Sequence, residues 1–164
     1  MSLLNLLLIL STLLCSLVAG FLFAYAIVVM PGIKSFDDKQ FIKTFQVTDR
    51  IIQDNHPLFL LVWIGSVISL IITAIYGFGK LHGLDLIILI LATFGYVVGV
   101  QLSTIVIHLP LNNKIQKLDV EAMNAEQLSV ERMEFETRWN KSNEIRTAIA
   151  CLISLLLIII VARL

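Results

Sequence analysis

The sequence predicts an all-α integral membrane protein: a bundle of four transmembrane helices with amphipathic and extended helices gathered on one face. Composition is the first support. Of 164 residues, 58% are hydrophobic and 15% charged, whereas a soluble domain carries about 45–50% and about 25%. Mean hydropathy is accordingly high, at +0.91. The second support is length. A bilayer's hydrocarbon takes ~20 apolar residues to cross, and residues 3–30, 57–79, 86–107 and 147–162 each approach or exceed that. The chain suits one membrane domain, residues 1–164. Its formal net charge of zero points to no nucleic-acid partner.

The first span, Leu3 to Met30, holds no charged residue. It has no Lys or Arg ahead of it and is too long for the apolar core of a signal peptide. It therefore reads as a retained helix, stopped by Met30-Pro31-Gly32. In the loop 31–56, Ser35 is placed to cap a helix, with Asp38 three residues on. Phe41, Ile42, Phe45 and Ile52 follow at helical spacing, with Lys39, Lys43 and Arg50 elsewhere on the wheel. That is an amphipathic helix lying on the bilayer or over the mouth of the bundle. The second and third spans are joined by the short connection Lys80–Asp85, and Pro110 is expected to end the third helix. In the loop 108–146, Asn124 is a cap with Gln127 at the reciprocal position. No Pro or Gly occurs between Asn124 and Leu164, so one long helix should run through that loop and become the fourth crossing. That crossing is short unless Arg146 and Arg163 snorkel from its ends.

Four crossings put both termini on one side and the loops 31–56 and 108–146 on the other. All Lys and Arg except Lys80 and Arg163 lie in those two loops, which the positive-inside rule assigns to the cytoplasm. Cys15 and Cys151 sit in apolar stretches with no CxxC pair and no zinc-type spacing, which disfavours a thiol–disulfide oxidoreductase. Ala92, Gly95, Gly99 and Ser103 form a stripe of small residues on the third span. Such a stripe lets helices approach closely, either inside the bundle or in a homo-oligomer through Gly95 and Gly99.

Polar residues converge at the loop-bearing end. His108 directly follows the third span and His56 directly precedes the second, so antiparallel helices bring both to one face; His82 lies on the far side. Arg132, Glu136, Trp139, Asn143 and Arg146 recur at steps of four and three on the last helix. Gln46, Asp49 and Asn55 can reach the same region from the first loop. Polar groups at that depth are costly unless paired or wetted by a cavity. A pocket for an apolar small molecule follows. His56 and His108 with a carboxylate such as Glu136 or Asp49 could hold a divalent transition metal. A histidine base with Asn and Arg steadying an oxyanion needs none. Haem between the histidines ranks lower, because both stand at helix ends beside prolines. The absence of an ionisable residue near the midplane argues against an ion-coupled transporter.

Four segments carry a resemblance: GFLFAYAIVVMPGI (Gly20–Ile33), FQVTDRIIQDNHPLF (Phe45–Phe59), HLPLNNKI (His108–Ile115) and RWNKSNEIRT (Arg138–Thr147). With them the chain resembles a family of small four-helix membrane proteins that includes the anthrone oxygenases, many of whose members are bacterial. The resemblance implies a bacterial cytoplasmic membrane and an oxidoreductase acting on an apolar aromatic or quinone-like substrate, with no recognised cofactor. It also implies His108 as the base, Asn113 and Arg146 as stabilisers of the anion, and Asn112, Trp139 and Asn143, with His56 and Gln46, around the substrate. Two alternatives stay open: an accessory protein that binds a membrane partner, and a metal- or small-molecule-binding protein that uses His56 and His108.

Overall fold

The computed structural model describes residues 1–164 and contains five helices: α1 (Leu3–Ile33), α2 (Asp38–Gln53), α3 (Pro57–Phe78), α4 (Gly83–Gln116) and α5 (Ala125–Arg163). All but α2 are long and apolar enough to cross a membrane. The chain is an integral membrane protein built as a helical bundle. In the bundle α1 packs on α3 and α5, and α4 packs on α5. The seam between α3 and α4 closes only over the part of α4 next to the short connection.

The bundle is apolar inside and outside. Its core stacks Leu8, Leu22, Leu70, Leu89, Val100 and Leu157. Its outer face is equally greasy, with Leu13, Ile75, Leu91 and Leu152 all exposed. Hydrophobic contrast therefore cannot hold such helices together in lipid; close packing and buried hydrogen bonds do. Ser11 and Thr73 bond at 2.8 Å across α1 and α3, and Ser66 and Tyr96 at 2.6 Å across α3 and α4. The small-residue stripe serves the same end. A Cβ on Gly99 would stand 2.8 Å from Ile149 Cδ1, and one on Gly95 would stand 3.5 Å from Ile153 Cδ1. Of the two roles open to that face, packing inside the bundle is the one seen: α5 of the same chain fills it.

Two prolines lie inside helices that were expected to stop at them. In α1 the helix passes Pro31 and runs to Ile33, and in α4 it passes Pro110 and runs to Gln116. A proline lacks an N–H, and its ring crowds the carbonyl four residues back. Both helices answer by widening just before it. The Met30 N–H bonds to the Tyr25 carbonyl and the Leu109 N–H to the Thr104 carbonyl, each five residues back. These are π-turns, which relieve the clash and shift the register of the face beyond them.

The second core lies at the loop-bearing end, where Phe41, Phe45, Ile115, Leu128, Phe135 and Trp139 are buried together. Phe45 meets Phe135 edge-on at 4.5 Å and Trp139 at 5.7 Å. This clamps α2 over the bundle's mouth. The cap of α2 is Asp37, which accepts from the Gln40 N–H at 2.7 Å. Ser35 was expected there, but its hydroxyl donates back to the Gly32 carbonyl and closes α1. The reciprocal Asn124–Gln127 cap forms as expected and starts the unbroken α5. Gly99→Leu should lower stability by about 1–3 kcal/mol through overpacking, while Gly20→Leu, with nothing within 4 Å, should change it little. Thermal unfolding in detergent measures both.

Candidate functional site

Above the Ser66–Tyr96 bond, α3 and α4 part, and the gap is a cavity of about 460 Å³. One wall is aromatic: Phe21, Phe59 and Trp63, with Phe59 and Trp63 stacked at 5.3 Å. Ile64, Ile68, Ile105 and Leu109 line the cavity and are also 42–59% exposed. The opening therefore faces the lipid side, between α3 and α4.

The opposite wall is polar, and helix geometry lays it out. Residues three and four apart share a helix face. Gln101, Thr104, His108 and Asn112 on α4 have that spacing, as do Trp139, Ser142 and Arg146 on α5. The two helices run antiparallel, so the residues meet as three rungs. Arg146 Nη1 donates to Thr104 Oγ1 at 3.0 Å, His108 Nε2 lies 2.9 Å from Ser142 Oγ, and Trp139 Nε1 donates to Asn112 Oδ1 at 2.9 Å. The Trp139 ring unites the ladder, with His108 edge-on at 5.1 Å and the Arg146 guanidinium 5.7 Å from its centre.

Arg146 is 5% exposed and has no carboxylate partner. Its other hydrogen bond, from Nε, goes to Asn143 Oδ1 at 3.0 Å. A guanidinium has five N–H donors, so several remain for something in the cavity. His108 Nδ1 and Gln101 Nε2 are buried without any partner, and both residues line the cavity. In the tautomer that donates Nε2–H to Ser142, Nδ1 keeps a free lone pair. In that tautomer the site offers one base and a set of unengaged donors in an apolar chamber.

Asp49 of α2 stands at the cavity's upper edge, 2% exposed. Its Oδ1 accepts from Asn112 Nδ2 at 2.8 Å, and its Oδ2 accepts from Gln116 Nε2 and Gln53 Nε2, both at 3.1 Å. Burial holds its carboxyl above the usual carboxylate value of 3.8, and the three amide donors oppose that. The indole N–H of Trp139 can only donate, which fixes the Asn112 amide with its NH₂ towards Asp49.

Of the residues expected at the site, His108, Arg146, Trp139 and Asn112 line this cavity together, with Asp49 and Asn55. Asn143 is buried behind Arg146 and also donates to the Leu22 carbonyl at 3.3 Å. Gln46 ties α2 to the end of α4 through the Ile115 and Leu118 carbonyls and does not line the cavity. Asn113 is exposed and faces away, because one residue along a helix turns the side chain off the stripe. Glu136 pairs with Arg132 at 2.9 Å, and Arg132 reaches the Lys34 and Phe36 carbonyls outside the cavity. His56 is exposed and does not line the cavity itself; it borders an adjoining groove that shares Phe21, Tyr25, Ile52 and Phe59 with it. The alternative of two imidazoles with a carboxylate does not assemble: no group of three His, Cys, Asp or Glu is placed to hold a metal ion. Tyr25, Gln101, Thr104 and Ser142 were not anticipated. Gln101 and Thr104 could have been, since with His108 and Asn112 they form a helically spaced polar stripe that runs out of the third span.

A family model described as anthrone oxygenase matches residues 53–156. The chain belongs to the anthrone oxygenase family. The match spans α3, α4 and most of α5, and so includes every rung of the ladder. Asp49 and the aromatic Phe21 precede it. No curated protein and no solved structure gives a match.

Asn112→Ala would strand both the Trp139 N–H and Asp49 Oδ1. It should cost about 1–3 kcal/mol for each buried group left unpaired, read as a lowered unfolding midpoint. The Asp49 carboxyl also predicts a pH effect. Above 3.8 and up to its raised native value, the folded chain holds a proton that the unfolded chain has released. Stability therefore falls as pH rises through that window. Asp49→Asn should remove this slope, so unfolding of the two proteins across a pH series starting below 3.8 should diverge in the variant's favour.

Proposed function

We propose that the protein is a membrane oxygenase that admits an apolar aromatic or quinone-like substrate, of which an anthrone is the type, through the lipid-side gap between α3 and α4. One observation carries this: the unpartnered His108 Nδ1 and the carboxylate-free Arg146 belong to the same largely apolar cavity. The family membership supports the reaction class.

The chemistry fits these groups. An anthrone's methylene is acidified by two flanking rings and a ketone opposite. His108 removes one methylene proton, and the charge moves onto the ketone oxygen. Arg146 and Gln101 donate to that oxyanion in a water-poor chamber, where such donors act most strongly. The anion's electron pair goes to dioxygen, a C–O bond forms at the former methylene carbon, and the proton held on His108 completes a hydroperoxide. Loss of the second C–H proton breaks the O–O bond and expels hydroxide, which leaves as water. The sum is CH₂ plus O₂ giving C=O plus H₂O, with all four electrons supplied by the substrate. The aromatic wall of Phe59 and Trp63 would hold the ring system flat against the ladder.

His108→Ala should reduce turnover of anthrone by about 10²–10⁴-fold, and Arg146→Gln by about 10²–10³-fold. Both should leave helix content and expression intact. Oxygen uptake, with the quinone's absorbance followed in detergent or nanodiscs, measures this. Full activity in His108→Ala would sink the base assignment.

A further inference from the structure

Two buried ions of opposite sign belong to this one cavity and do not meet. Arg146 lines it from α5 and Asp49 from α2. No ion pair involves either. Buried charges are costly, and an opposite charge within reach is the usual remedy. Here each is steadied by neutral groups instead: Thr104 and Asn143 at Arg146, and Asn112, Gln116 and Gln53 at Asp49. The ladder holds them apart. Thr104 and Asn112 are two turns apart on α4, roughly 12 Å along the axis at a helical rise of about 1.5 Å per residue. Neither ion is saturated. A carboxylate offers about four acceptor sites and a guanidinium five donors; three of the former and two of the latter are engaged.

We propose that the cavity selects a ligand with two polar ends, an acceptor oxygen for Arg146 and a hydroxyl for the remaining acceptor site of Asp49, which makes Asp49 a specificity-determining residue. The aromatic body between the ends lies along Trp139 and faces Phe59 and Trp63. A ligand lacking the distal hydroxyl leaves the carboxylate facing hydrocarbon. The ring system rests on the oxygenase reading above; the two-ended polarity rests on the charges alone. Asn55 marks how close this end lies to the aqueous boundary: it lines the cavity, is exposed, and holds a left-handed backbone, φ 60°, at the turn between α2 and α3.

The test is direct binding, followed by quenching of the Trp63 and Trp139 fluorescence inside the cavity, with anthrone and 3-hydroxyanthrone as probes. The wild-type chain should bind the hydroxylated probe about tenfold or more tightly, as a hydrogen bond to a charged acceptor allows. In Asp49→Asn the preference should collapse towards one while anthrone binding is retained, which also shows that the variant is folded. Equal binding of the two probes by the wild type, or an undiminished preference in the variant, overturns the proposal. Equal loss of both probes in the variant overturns it as well, leaving Asp49 a support for Asn112 only. If the preference behaves as expected but oxygen uptake is absent, the oxygenase reading fails and the two-ended site stands. If the wild type binds neither probe, both fall.

Discussion

Arg146 sets the terms for this protein. A buried guanidinium is costly unless it is paired or hydrogen-bonded, and Arg146, at the loop-bearing end of the fourth crossing, has no carboxylate to offset it. What it has instead are the Asn143 amide, the Thr104 hydroxyl and the face of Trp139. Asn143 and Trp139 share its own helix, α5, whereas Thr104 comes from α4 and must be brought into register. Asn143 is tied to α1 through the Leu22 carbonyl, and Thr147 bonds back to the Asn143 carbonyl one turn on. These bonds link α1, α4 and α5 at this end around one cation. A charge held this way stays available to a ligand.

The prolines of α1 and α4 contribute by widening the helices rather than by ending them. Each π-turn frees the carbonyl that the proline ring would strike, and each rotates the residues around it. Tyr25 opens the first such turn, while Thr104 and His108 bound the second. All three line the cavity. Such turns recur at functional sites because the extra residue aims a side chain where a regular helix would not.

The amphipathic α2 closes the aqueous end. Its aromatic face is buried on α5, Gln46 locks it to the end of α4, and Lys39 and Lys43 both reach Glu121 in the following loop. Those two ammonium groups pull the Glu121 carboxyl down to about 2. Because Glu121 is exposed, the pairing is screened by salt and contributes little on its own; the buried aromatic cluster does most of the holding. The seam between α3 and α4 is left open towards lipid. On the proposed function, an apolar substrate dissolved in the bilayer would reach the ladder by this gap without crossing water.

How much of this was legible beforehand depends on the range over which the forces act. The spans, the unbroken α5, the Asn124 cap and the amphipathic α2 follow from local composition and spacing, because hydropathy, capping and helical period are properties of a few neighbouring residues. The gathering of His108, Asn112, Trp139 and Arg146 at one end also followed from the order of crossings. The tertiary structure alone decided which of their neighbours belong. Asn113 turns away and His56 stands in the adjoining groove because a side chain's direction is fixed by helix register and packing, and sequence position fixes neither. Pro110 stays within its helix because a π-turn, paid for by packing against α5, costs less than breaking the span. Gln101 and Ser142 join, and Asp49 and Arg146 remain apart, because only the packed antiparallel ladder defines which rung each residue can reach.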